Sequence, residues 1–279
     1  MTAGYAPVPG AGRRARRRYL RDSLARVSTL QQRAELRFGV PAGERGWTRC
    51  AELLTDPAGF DRWRAELAGW LTDRYGAAPE RTTAGYVLYW YLFVPGYLAA
   101  LLFHHERRVP VLDPRLVAFH TAAPRPHPDR IAVLDPSFAC LPDDPAAGTE
   151  HAIVMASEHA LAGVLRGRYV NHAARFVTAF APTVRFGRHT LWAAATDVLD
   201  SALWLAGRYG GDEDAGALDA GLVLAERFAP LTSASTMRPV PGHPPRWTRR
   251  RESCCFHYLL SAGQGPCGTC PRLGRKPSA

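Results

Sequence analysis

The chain has 279 residues, 47% hydrophobic and 22% charged, a balance that excludes a disordered polypeptide and suits one large domain with an appendage or two modest domains. With 35 Lys and Arg against 25 Asp and Glu the net charge is +10, and Lys276 is the only lysine, so the positive charge is carried by guanidinium forks that favour anionic partners. Six cysteines are too few for a small disulfide-stapled fold, and the arginine run at Arg13 to Arg18 leads into a charge-studded stretch instead of an apolar signal core, so a reducing, cytoplasmic setting is expected.

Residues 1–18 read as a disordered basic tail, and residues 19–229 as a helical body. Apolar residues recur at helical spacing over Tyr19 to Phe38 and again over Phe60 to Tyr75, with Pro57 at a tolerated position near the second start. Ala84 to Phe103 holds no charged residue and is long enough to cross a bilayer. Its four tyrosines (Tyr86, Tyr89, Tyr91, Tyr97) and the interruption at Pro95 and Gly96 favour a buried, kinked pair of core helices instead. Leu116 to Thr121 and Arg130 to Leu134 form a small β-ribbon in this reading. Helix returns over Glu158 to Arg185, Thr190 to Tyr209 and Ala215 to Phe228; in the second of these, Asp197 and Asp200 fall off the apolar stripe. Residues 230–247, with Pro239, Pro241, Pro244 and Pro245, read as an extended linker to a C-terminal motif at 248–279. The expected fold class is therefore mainly α.

Cys254, Cys255, Cys267 and Cys270 form the pattern C-C-x11-C-x2-C. Two residues between Cys267 and Cys270 let both thiolates face one metal, and the glycines of the loop allow the vicinal pair to come round to them. Four thiolates suit structural zinc or a 2Fe-2S cluster. Adjacent cysteines point apart, which strains a single tetrahedral zinc and suits the wider two-iron rhomb. This chemistry favours the cluster, with zinc and unligated thiols as alternatives.

The stretch from Arg249 through Cys254-Cys255-Phe256-His257-Tyr258, closing with Cys267-Gly268-Thr269-Cys270-Pro271, resembles the C-terminal signature of the FhuF-like ferric siderophore reductases. Pro95 to Leu112 and Thr190-Leu191-Trp192 are similar to that family's longer N-terminal region. The loop between the cysteine pairs has eleven residues where ten is usual, and Leu259 stands where a basic residue commonly follows the aromatic pair. The resemblance implies a 2Fe-2S cluster on Cys254, Cys255, Cys267 and Cys270, and reduction of ferric siderophores, often hydroxamates. Arg246, Arg249, Arg250 and Arg251 would favour a reduced cluster and attract an acidic donor, unless they are merely a solvated run.

Gly263-x-Gly265-x-x-Gly268 matches a dinucleotide fingerprint in letters but has neither flanking strand nor helix, so electrons are expected from an external ferredoxin or flavodoxin. Cys50 and Cys140 read as buried structural thiols, Trp192 and Trp204 as core, and His257 as a supporting or core residue. His104, His105, Glu106, Glu158 and His159 read as helix-end groups. Two other functions stay open at this point: a non-enzymatic iron-sensing protein, and a zinc-knuckle protein binding nucleic acid. With one knuckle and no interleaved aromatics, nucleic acid is not an expected partner, while peripheral membrane contact is left open.

Overall fold

A computed structural model describes residues 19–240, 246–260 and 266–273. The expected N-terminal tail lies outside them. Seven α-helices occur among the described residues: α1 (Leu20–Ser28), α2 (Cys50–Thr55), α3 (Pro57–Tyr75), α4 (Glu80–Glu106), α5 (Glu158–Phe180), α6 (Arg188–Gly210) and α7 (Glu213–Val223). The strands are β1 (Glu35–Phe38), β2 (Trp47–Arg49), β3 (Arg108–Pro110), β4 (Val117–Thr121), β5 (Pro128–Val133), β6 (Phe138–Cys140), β7 (Ala152–Val154), β8 (Met237–Val240) and β9 (Arg246–Arg249).

The axis of the core is α4, the segment that could be mistaken for a membrane span. Nearly all of its apolar window is buried against the rest of the chain, because a helix that is apolar on every side needs covering on every side. It is one continuous helix and not the expected kinked pair. Pro95 removes one backbone donor, yet packing on all sides holds the helix through it. Gly96 serves as a notch: a Cβ there would lie 3.1 Å from both Tyr169 of α5 and Val198 of α6. The buried tyrosines find partners, Tyr91 with His172 Nε2 at 3.0 Å and Tyr97 donating to Gln31 Oε1 at 3.1 Å.

The β content exceeds the expected ribbon. β4 and β5 do pair antiparallel, but β1 adds to β5 in parallel and β2 adds to β4, giving the order β1-β5-β4-β2. A second sheet, β3-β6-β7, lies beside it in sequence. The helix expected over Tyr19 to Phe38 stops at Ser28. Gln31 takes the backbone N–H groups of Arg33 and Ala34 on Oε1 and donates from Nε2 to Ala34 O at 2.6 Å, while Ser28 Oγ accepts from Leu36 N at 2.9 Å; these local bonds outcompete helix propagation.

Within the Pro-rich stretch Met237–Val240 is extended and pairs antiparallel, as β8, with β9; residues 241–245, with Pro241, Pro244 and Pro245, lie outside the described residues. The stretch is also tied down. Asp200 of α6 accepts from Ser235 Oγ at 2.7 Å and from Thr236 N and Oγ1 at 3.0 and 2.8 Å. At the end of β9, Arg249 meets Asp197 of α6.

Candidate metal centre

The turn that carries the vicinal cysteines is held by Asp197, in the middle of α6. Read from the sequence as lying off the apolar stripe, Asp197 is 1% exposed. Its Oδ1 accepts the Glu252 N–H at 2.9 Å, and Oδ2 accepts both the Ser253 N–H at 2.7 Å and the Ser253 hydroxyl at 2.5 Å. Arg249 donates to the Asp197 main-chain carbonyl at 2.7 Å, and the Arg249 and Arg251 guanidiniums stand 3.8 and 3.7 Å from its carboxylate. A buried carboxylate needs such compensation, and here the groups supplying it fix the chain immediately before Cys254.

Beyond the cysteines, α4 takes over. Thr82 Oγ1 donates to Phe256 O at 3.0 Å, and Gly85 lets the turn approach so closely that a Cβ would lie 3.3 Å from Cys255 O. Phe256 sits at φ +57°, a left-handed conformation that costs a phenylalanine about 1–2 kcal/mol. Its ring is clamped in compensation, stacked on Phe186 at 5.4 Å with Arg81 over it at 4.9 Å.

The turn gathers the four thiols within electrostatic reach of one another: Cys254 feels both Cys270 and Cys255, and Cys267 feels both Cys255 and Cys270. The two halves are joined where Arg251 N donates to Thr269 O at 3.1 Å, and Cys270 N closes the second turn on Cys267 O at 2.8 Å. Cys270 is buried, Cys254 and Cys255 are partly so, and Cys267 is exposed, giving the site one open edge. Burial pushes the Cys254 thiol up to about 11 and raises Cys267 as well, so both stay protonated until a cation draws off the proton.

Two observations test the donor set. Four thiols gathered at one turn supply the number and kind of donor that a two-iron core takes. Arg251 Nε is buried without a hydrogen-bond acceptor. Burial pulls the Arg251 pKa down, but Asp197, Tyr89, Cys255 and Cys267 outweigh it and raise the pKa, holding a charged donor beside the sulfurs. Those residues fit an anionic, sulfide-bearing core.

The remaining residues singled out in the sequence stand apart from this site. Cys50 and Cys140 are fully buried, their thiols pushed by burial to about 12 and about 11. Trp192 is core, while Trp204 donates to Glu213 at 2.7 Å. His257 Nδ1 is engaged by the Tyr86 hydroxyl at 2.8 Å, which makes it a support for the turn. His104 and Arg107 meet on Asp219, Glu106 takes Arg26 and Ser23, and Glu158 takes Arg107. His105 is half-buried, and burial lowers its pKa; His159 is exposed. Of the four arginines, Arg246 and Arg250 are exposed, but Arg249 and Arg251 are buried on Asp197 and are not a solvated run. The glycines of the fingerprint-like stretch up to Gly265 lie outside the described residues.

Asp197 is the residue that sequence reasoning missed, and a signal for it existed. From Leu191 to Gly207 the helix carries no charge other than Asp197 and Asp200. In a helix with no polar face, such acids must be buried and partnered.

Residues 251–272 match the family described as the FhuF 2Fe-2S C-terminal domain, a stretch that contains all four cysteines. No curated protein matches the chain. The match agrees with the donor set: the cofactor is a 2Fe-2S cluster, and Cys254, Cys255, Cys267 and Cys270 are the residues that would hold it.

Proposed function

We propose, from the premise that residues 251–272 form an FhuF 2Fe-2S domain, that this protein is a cytoplasmic ferric-siderophore reductase. With the cluster bound, the chemistry is one-electron transfer: Fe(III) in a docked chelate takes one electron and leaves as Fe(II), and an external one-electron donor, a ferredoxin or flavodoxin, replaces it. Fe(II) is a poorer match for hard anionic oxygens and is released more readily. The observation that carries this reading is the uneven burial of the thiols, with Cys270 sunk in the protein and Cys267 at the surface. A centre with an open edge can exchange electrons with a partner, which a sealed structural site cannot.

The chain's own residues have definable parts in this reading. Asp197, Thr82 and Gly85 hold the turn. Arg251 places a buried positive charge beside Cys255 and Cys267, favouring the more negative reduced state. Exposed Arg246 and Arg250 would attract an acidic donor.

The test is a single turnover. Anaerobic protein reduced with dithionite and freed of excess reductant is mixed with a ferric siderophore and a ferrous trap. Matched reoxidation of the protein and appearance of Fe(II) are expected. A reduced spectrum that persists would make the protein an iron-responsive sensor instead.

A further inference from the structure

Against the far side of the cysteine turn lies a cavity of about 330 Å³, walled by Arg64, Glu80, Arg81, Ala84, Arg185 and Phe186. It reaches the cysteines through two aromatic rings, since Phe186 stacks on Phe256 and Phe256 follows Cys255 directly. The larger cavity of about 520 Å³, lined by Glu52, Asp56 and Glu66 among others, shares no residue with the cysteine turn.

Its charge is distinctive. Arg64 is occupied, donating to Thr183 O and Oγ1 at 2.9 and 3.1 Å and pairing with Asp61. Arg81 rests on the Phe256 ring, and neither it nor Arg185 is paired with a carboxylate among the described residues. Glu80, the one acid in the wall, sits in the first turn of α4, where the helix dipole offsets part of its charge. Two exposed guanidiniums are thus left facing one cavity, and guanidinium forks pair best with anionic oxygens.

We infer that this cavity docks the ferric chelate, and that it selects strongly anionic oxygen-donor chelates, of the catecholate or carboxylate kind, over the neutral complexes that hydroxamates form. Three hydroxamates neutralise Fe(III), whereas three doubly ionised catecholates leave the chelate strongly negative. The cavity is at the small end for a ligand pocket and takes one face of such a complex. Edge contact suffices for an electron that travels through Phe186 and Phe256. The inference rests on the reductase reading for its purpose, but the docking itself can be measured without it.

The probe is Ga(III) tris-catecholate, which has the charge and shape of the ferric complex but accepts no electron. Calorimetric titration into cluster-loaded protein should show binding that weakens about tenfold or more in Arg185→Glu and in Arg81→Gln, with partial rescue in Arg185→Lys. A neutral Ga(III) tris-hydroxamate should bind less tightly and ignore all three changes. Arg185 is exposed and has no carboxylate partner among the described residues, so its variants should fold, and the visible spectrum checks that the cluster is intact. Unchanged binding in both Arg185→Glu and Arg81→Gln, or tighter binding of the neutral complex by the parent protein, overturns the docking site. Reoxidation of reduced protein by anionic ferric citrate at the parent rate in both variants overturns the docking site but leaves the reductase reading standing. Arginine-dependent gallium binding without any reoxidation by ferric citrate or a ferric hydroxamate does the reverse.

Discussion

Ser253 meets the Asp197 carboxylate twice, through its backbone N–H at 2.7 Å and its hydroxyl at 2.5 Å, across a sequence separation of 56 residues. With the Glu252 N–H this makes three donors on one buried carboxylate, and they locate the cysteine turn on α6. Asn at this position offers a single acceptor and turns an N–H₂ toward groups that are themselves donors. Asp197→Asn should cost about 3 kcal/mol of stability, with a marked fall in iron per chain. Thermal unfolding and iron analysis measure both, and parental values for the two would remove Asp197 from the site's foundation.

The cysteines should divide cleanly. Ser in place of Cys254, Cys255, Cys267 or Cys270 is expected to abolish or strongly bleach the visible absorbance. Cys50→Ala and Cys140→Ala, at sealed positions elsewhere, should keep the spectrum and cost about 1 kcal/mol each. Colour lost from the second set and kept in the first would relocate the cluster.

Gly85 tests the contact between α4 and the turn. Its Cβ position is already 3.1 Å from the Phe256 ring and 3.3 Å from Cys255 O, so Gly85→Leu must push the turn away. Iron content should fall while helical circular dichroism is retained. Gly69→Ala is the control, because a Cβ there meets nothing within 4 Å and the change improves helix propensity.

Arg251→Gln removes a positive charge beside Cys255 and Cys267 while Arg249 continues to face Asp197. The reduced state loses more than the oxidised one, so the midpoint potential should move to more negative values. An anaerobic redox titration followed in the visible range reads the shift, and a shift to positive values would contradict this role.

His172 gives the body of the protein a pH dependence. Burial holds its pKa down at about 4 against an ordinary 6.5, with the ring between Leu112 O at 2.6 Å and the Tyr91 hydroxyl at 3.0 Å. The unfolded chain binds a proton in that window and the folded one does not. Stability from this residue is therefore complete above about pH 6.5 and is lost as the pH falls to about 4, by about 3 kcal/mol. Denaturant unfolding across the window should show that slope, and His172→Gln should flatten it.

The helical body and the metal-binding tail were legible because their signals are local. Apolar spacing marks α3, α5 and α6 within a few turns, and the C-C-x11-C-x2-C pattern states its own chemistry in under twenty residues. Residue pattern was silent where a few side chains decided: Gln31 and Ser28 ended a helix that periodicity would have continued, and Pro95 failed to break one that packing holds together.

By itself, then, the sequence marked the main helices, the four candidate donor atoms and a preference for a two-iron core over zinc, since each depends on neighbours along the chain. Only the tertiary structure decided that β1 lies parallel to β5, that Cys270 is sunk in the protein while Cys267 stands at the surface, and that Asp197 and Gly85 seat the turn. These depend on groups separated by tens of residues, whose meeting is set by the packing of α4 and α6 and leaves no periodic trace in the order of the amino acids.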